Sequence, residues 1–222
     1  IQMAVKANHD ISSGLDTAFI NSAINSNLAY RPEFVSNDYT QGKKVSVAIE
    51  RELRHCDAFY ISVAFITEGG LAPLKQVLAE LRDKGIPGKI LTTSYLTFTE
   101  PKALKTLADL SNVEVRVYDS TDEGASGFHT KGYIFKEEEI YRFIVGSSNM
   151  TASAFSVNKE WNTKLVSTSD GELLKQMMTE FNALWNSKHT LAVKDFIEDY
   201  EVRYRLIKEQ KKNAAKEQMV DF

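Results

Sequence analysis

The stretches Phe128-His129-Thr130-Lys131-Gly132-Tyr133-Ile134-Phe135, Ile144-Val145-Gly146-Ser147-Ser148-Asn149 and Asn158-Lys159-Glu160-Trp161-Asn162 gather an imidazole, an ammonium, hydroxyls, a carboxamide and a carboxylate between apolar runs. Side chains alternate across a strand, so His129 and Lys131 leave one face and Thr130 and Gly132 the other. A neutral imidazole can attack phosphorus, and an ammonium beside it can neutralise the non-bridging oxygens as charge builds up in the transition state. Ser147 and Asn149 point to a common side if their turn stays extended, and there they would donate hydrogen bonds to the same oxygens. Ser148 is the alternative hydroxyl, assigned to substrate binding. Thr151 to Ala154 starts a short helix whose free N–H groups favour a nearby phosphate. Glu160, returning on the next strand, is expected to hold the imidazole through its second nitrogen and fix its tautomer. A lone histidine on a strand is ordinarily structural; the same-face lysine and the Gly-Ser-Ser-Asn turn shift the reading to chemistry. The set handles phosphate with neither a metal site nor a cofactor.

The surrounding pattern supplies the elements that must position these groups. Ala58 to Phe65, Gly88 to Thr93 and Val113 to Tyr118 read as strands, separated by helical periods over 71–84 and from Pro101 to Leu110. Strands alternating with helices predict an α/β fold: a mixed, mainly parallel sheet with helices on both faces. The second half changes rhythm, with strands at 130–135, 141–145 and 160–166, so a hairpin makes the sheet mixed. Helices are expected over 12–24, 43–54, 170–185 and 192–216, and 30–35 reads as an extended edge segment. In open α/β sheets the ligand sits beyond the carboxyl ends of the strands. Thr93, Ser94 and Tyr95 fall at such an end and are candidates for lining a substrate groove. Trp161 reads as a core or interface aromatic rather than a base-stacking platform.

The chain has 222 residues, 43% of them hydrophobic, which is enough for one full core. The expected division is a catalytic domain over 1–190, helical N-terminal segment included, and a charged helix or linker over 191–222. Lys plus Arg (27) nearly balances Asp plus Glu (30), giving net −3 and excluding a broad basic coat. An anionic partner must therefore be met by a local patch. Cys56 is the only cysteine, so a disulfide framework within one chain is excluded, and it reads as a small buried hydrophobe. No apolar run approaches the roughly 18 residues that span a bilayer. A soluble cytoplasmic protein with no membrane partner is expected.

His129-x-Lys131 followed by Gly146-Ser147-x-Asn149 resembles the signature of the phospholipase D superfamily. The resemblance covers residues 128–162 at motif level. It departs at Lys136, where the superfamily usually has an aspartate five residues after the lysine. That departure and Glu160 point away from the lipid-cleaving branch and toward the nuclease branch, which includes metal-independent restriction endonucleases. Ser62 to Thr67 and Leu91 to Pro101 are similar to the phospholipase D-like domain N-terminal to DEAD/DEAH-type helicases and restriction-helicase subunits. The resemblance implies a metal-independent phosphodiesterase acting on DNA through a phosphohistidine at His129. Helicase motor domains are expected to follow Phe222, as in a restriction or repair system. A single His-x-Lys motif implies a homodimer with one shared centre. His9, His55 and His189 lack the neighbouring lysine and are poor candidates for a second catalytic histidine. Two other readings fit the resemblance: a phosphatidyl or other phosphoester transferase, and a non-catalytic DNA-binding dimerisation module.

Overall fold

Alternating apolar residues in Ala58–Val63 bury Phe59, Ile61 and Val63 on one face and leave Tyr60 and Ser62 on the other. This strand lies within an eight-stranded sheet in the computed structural model, which describes residues 2–220. In chain order the strands are β1 (Glu33–Val35), β2 (Ala58–Val63), β3 (Gly88–Thr93), β4 (Val113–Tyr118), β5 (Lys131–Glu137), β6 (Ile140–Gly146), β7 (Asn162–Thr168) and β8 (Thr190–Ala192). Their spatial order is β1-β7-β6-β5-β2-β3-β4-β8. The helices are α1 (Gln2–Leu15), continued by a π-turn over Asp16–Ile20, α2 (Val45–Leu53), α3 (Glu68–Leu71), α4 (Lys75–Asp83), α5 (Pro101–Ala108), α6 (Ala152–Ser156), α7 (Glu172–Trp185) and α8 (Val193–Val220). The first helix thus begins ten residues before the expected Ser12 and ends at Ile20.

The α/β class and the mixed sheet match expectation, but the share of parallel pairing does not. Only β2–β3 and β3–β4 are parallel; β1–β7, β7–β6, β6–β5, β5–β2 and β4–β8 are antiparallel. Crossover helices α4 and α5 join the parallel strands. After β4 the chain returns through an irregular segment to the far side of β2 and continues as a meander. A turn as short as Glu138-Glu139 can join only antiparallel neighbours.

Helices cover both faces. The main core packs Val45, Ile49 and Leu53 of α2, Leu78 and Leu81 of α4, and Leu104 and Leu107 of α5 against the inward residues of the sheet. On the opposite face α7 sets Leu174, Phe181 and Trp185 against Ile134, Phe143, Leu91 and Tyr118. Cys56 is buried, and burial pushes its thiol up to about 12.

The expected division after residue 190 cuts through packed structure. Strand β8 pairs with β4, and Val193, Phe196 and Tyr200 at the start of α8 lie in the main core. The Tyr200 hydroxyl donates to the Thr99 carbonyl at 2.7 Å. Charge patterning hid this because the apolar turns occupy only the first third of an otherwise polar helix. Residues 221–222 lie outside the described residues, and so does the expected junction with helicase domains after Phe222.

A buried ionic cluster ties β1, α2, β6 and β7 together. Lys164, 4% exposed, donates to Glu33 at 2.6 Å and to Glu52 at 3.2 Å, while Arg142 approaches Glu52 and pairs with Glu137. Burial pushes the Glu33 carboxyl up, but hydrogen bonds from Lys164 and Arg51 outweigh it and hold the group below its usual range. Removing one partner of a buried pair strands the other charge. Lys164→Ala is therefore expected to cost about 3 kcal/mol, the low end for such pairs because Arg142 and Arg51 still face Glu52. A urea midpoint with unchanged m-value reads this loss.

Candidate active site

The site forms where the carboxyl ends of β2, β3 and β4 meet the amino end of β5. Strand β5 begins at Lys131, opposite Val63, and the Ala64 amide donates to the Thr130 carbonyl at 3.0 Å, extending the pairing back toward His129. The Thr130 hydroxyl meets that of Ser62 at 2.6 Å, which turns it to the α7 face. His129 and Lys131 then share the other face. Lys131 Nζ lies 2.9 Å from His129 Nδ1 and 3.4 Å from Nε2, and donates to the His129 carbonyl at 3.0 Å. Burial lowers the Lys131 pKa from its ordinary value, and the Glu160 carboxylate opposes part of that shift. The edge of Phe65 packs on the His129 ring at 5.9 Å.

The turn after β6 is locked from both sides. The Phe65 amide donates to Asn149 Oδ1 at 3.1 Å, and the Met150 amide donates to the Phe65 carbonyl at 3.0 Å. Asn149 Nδ2 is left without a hydrogen-bond partner among the described residues. Asn149, Glu160, Phe65 and Phe98 line a cleft of about 630 Å³ beside α6. Thr151 caps that short helix, accepting from the Ala154 amide.

Glu160 is buried, and its contacts differ from the expected bond to His129. Its carboxylate accepts from the hydroxyl of Ser147 and, at 3.4 Å, from that of Ser148. It precedes β7, two strands away from β5, whereas the His129 ring is engaged by Lys131. Ser147 is fixed by reciprocal backbone contacts: its amide donates to the Trp161 carbonyl at 3.1 Å, and the Trp161 amide donates to its hydroxyl at 3.0 Å. Ser148 is fully buried, accepts from Asn162 Nδ2 at 2.9 Å, and its carbonyl accepts from the Tyr133 hydroxyl at 2.9 Å. It therefore braces the turn and does not face the cleft.

Gly146 opens this turn because a Cβ there would run into the Trp161 carbonyl and Asn162. Gly146→Ala must push β7 away and shift Ser147 from Glu160. The expected cost is about 1–3 kcal/mol, typical of overpacking, read as a lowered urea midpoint.

Thr93, Ser94 and Tyr95 do stand at the end of β3, but the hydroxyls of Thr93 and Ser94 turn inward. The Thr93 hydroxyl donates to the Tyr118 carbonyl at 2.9 Å and that of Ser94 to Asp119 at 2.8 Å; both residues are buried. Burial raises the Asp119 pKa, yet the hydrogen bonds from Thr121 and Ser94 and the nearby Arg203 leave it below the usual range. Tyr95 is partly exposed and does not line the cleft. The same loop instead contributes Phe98, which reading at the strand end missed. Its ring packs edge-on against Phe65 at 5.0 Å, and Leu96 and Thr97 reach it through positive φ values of 53° and 54°. Conformations of that kind cluster at functional sites. An aromatic inside a threonine-rich strand-end loop was the available signal.

A family model described as "Cardiolipin synthase, PLD-like domain" matches residues 55–185. No curated protein matches the chain by sequence. Among solved structures, NucT from Helicobacter pylori superposes with a TM-score of 0.55 at 14% identity, over 73% of this chain and 98% of that one. Nuc from Salmonella typhimurium, a phospholipase D family member, gives 0.54 at 16% identity over the same 73% and 98%. Phosphatidylserine synthase from Haemophilus influenzae gives 0.54 at 15% identity, covering 85% of this chain and 46% of that one. At these identities the three share the fold. The family match spans more than half of the chain and contains His129, Lys131, Ser147, Asn149 and Glu160; the chain belongs to the phospholipase D superfamily.

Proposed function

We propose that the chain is a nuclease-type phosphodiesterase that cleaves DNA with His129 as nucleophile, and that two copies share one centre. The observation that carries this reading is the Lys131 ammonium held on the His129 imidazole, beside a cleft into which Asn149 can donate. A ring nitrogen of His129 attacks phosphorus, forming the N–P bond as the P–O bond to the leaving oxygen breaks. That oxygen takes a proton from the imidazolium of His129 in a second copy. Water then attacks phosphorus, the N–P bond breaks, and the water's proton returns to the second imidazole. Lys131 and Asn149 hold the non-bridging oxygens, where fixed charge and donors act most strongly in a water-poor site. Glu160, neutralising part of the lysine field, positions Ser147.

Among the described residues no other histidine is placed to serve as the second one. His189 is bonded to Asp122 at 2.6 Å, His55 to the Arg51 carbonyl at 2.8 Å, and His9 sits on α1. A restriction or repair helicase is the proposed setting, with motor domains joined beyond the described residues. The name of the matching family favours a second reading, a phosphatidyl or other phosphoester transferase. Among the described residues no helix is long and apolar enough to cross a membrane. Lys136 stands near the far end of β5 from His129, so it marks the branch without touching the site.

With Lys131 from each copy supplying the charge, DNA cleavage is expected to persist in excess chelator. Cleavage should also rise with the square of protein concentration below the dimer dissociation constant. Loss of cleavage on chelation, or exchange of a lipid headgroup without DNA cleavage, would overturn the reading.

A further inference from the structure

Trp161 immediately follows Glu160, yet it is 76% exposed, and the edge-strand residue Phe34 is 64% exposed. Their rings meet edge to face at 5.9 Å and 82°, so each props the other and leaves a face open. The Trp161 backbone is pinned to Ser147 on both its N–H and C=O, which fixes the indole at the rim of the candidate site. Beyond Phe34 runs a groove of about 420 Å³ whose lining includes Lys43, Lys44 and Val47.

Charge is concentrated along this route in a chain of net −3. Lys43 and Lys44 are exposed, as is Lys159, and none of the three forms a salt bridge among the described residues. The nearby acids are already engaged. Glu33 pairs with Arg51 and Lys164. Asp38 accepts from the Thr40 hydroxyl and from the Thr40 and Gln41 amides; the Thr40 bond leads in holding its carboxyl below the usual range, with Lys159 close enough to contribute. The route is also rigid. Buried Asn37 donates to the Ala154 and Asn158 carbonyls, both at 2.8 Å, and accepts from the Val45 amide at 2.9 Å, tying the lysine-bearing loop to the segment that leads into Glu160.

We propose that Trp161 and Phe34, with Lys43, Lys44 and Lys159, form a track for a single-stranded nucleic-acid segment leading from Glu160 across the edge strand. The rings stack unpaired bases, which is tolerant of sequence because every base has a π-face. The ammonium groups hold successive phosphates and release counterions. A duplex buries its base faces and cannot use the rings. This inference rests on the reading of the site as a DNA phosphodiesterase and adds the form of DNA it accepts.

The test uses the full chain carrying His129→Ala, so that substrate is bound and not cut, with fluorescence anisotropy on labelled oligothymidylate and on a duplex of equal length. The single strand is expected to bind more tightly. Adding Trp161→Ala should weaken it roughly ten-fold or more. Adding Lys43→Ala and Lys44→Ala should flatten the dependence of log affinity on log salt by about 1.4, two single-strand contacts. Phe34→Leu gives a second, conservative reading of the stacking surface. Unchanged single-strand binding in Trp161→Ala, or tighter binding of duplex, overturns the track. So does conversion of a dimer to monomer by Trp161→Ala in sedimentation, which assigns the aromatic patch to a second copy. Hydrolysis of bis(p-nitrophenyl) phosphate by His129-intact protein reads the site alone. Its absence defeats the phosphodiesterase reading while leaving the binding result to stand or fall separately.

Discussion

Replacing His129 by alanine is expected to lower DNA cleavage by roughly 10³-fold or more, because it removes the proposed nucleophile while the remaining donors offer only residual stabilisation. The fold should be untouched. His129 is exposed, and its ring meets the Lys131 ammonium and packs against Phe65. The loss should fall on kcat, since substrate is held by other groups. Circular dichroism and the urea midpoint of His129→Ala should overlay those of the wild type. Equal cleavage by both proteins would remove His129 from the chemistry. A shared centre adds a second expectation: in a mixture of wild-type and His129→Ala chains, the mixed dimer has either nucleophile or acid, not both. Activity should therefore fall more steeply than the wild-type fraction.

Lys131 carries the second large effect. Removing one preorganised charge donor from a developing oxyanion costs roughly 10²–10³-fold, and Lys131→Ala is expected in that range. Burial lowers its pKa below the ordinary 10.5, with Glu160 limiting the shift. The sign follows directly. The charged form is required, so activity is full below the lowered pKa and falls as pH rises through it, earlier than for a solvated lysine. Folding has the opposite dependence: between the lowered pKa and the ordinary value the unfolded chain binds more protons, so this group's contribution to stability rises with pH. Lys131→Arg keeps a charge that does not titrate in this range but cannot reproduce the compact ammonium. It should retain partial activity and lose the alkaline limb. A limb that persists unchanged in Lys131→Arg belongs to another group.

Much of this arrangement was legible in the chain. The short apolar runs of β2, β3 and β4 stand out between helical periods, and Pro101 marks the start of α5. The pairing direction was harder to read. Alternation fixes which face a residue takes but not which neighbour its strand joins, so the antiparallel return of β5 onto β2 could not be separated from another crossover. Strand β8 has three residues and runs straight into α8, too short for any period to register. The site residues were found through spacing, yet their partners were not. Glu160 and Ser148 bind within the turn, and Thr93 and Ser94 brace the strand ends. A hydroxyl's choice between backbone and solvent depends on tertiary neighbours such as Tyr118 and Asn162. Trp161, expected in a core or interface, is exposed because the pairing of Ser147 with its backbone sets it at the sheet rim.

The most direct test of the account is to trap the intermediate. Protein is mixed with DNA carrying a labelled scissile phosphate and quenched rapidly in alkaline denaturant. Label is expected on the wild-type chain, stable to alkali and released by acid as a phosphohistidine is, at a peptide containing His129, with none on His129→Ala. Cleavage without protein-bound label on that timescale, or label retained by His129→Ala, would contradict it.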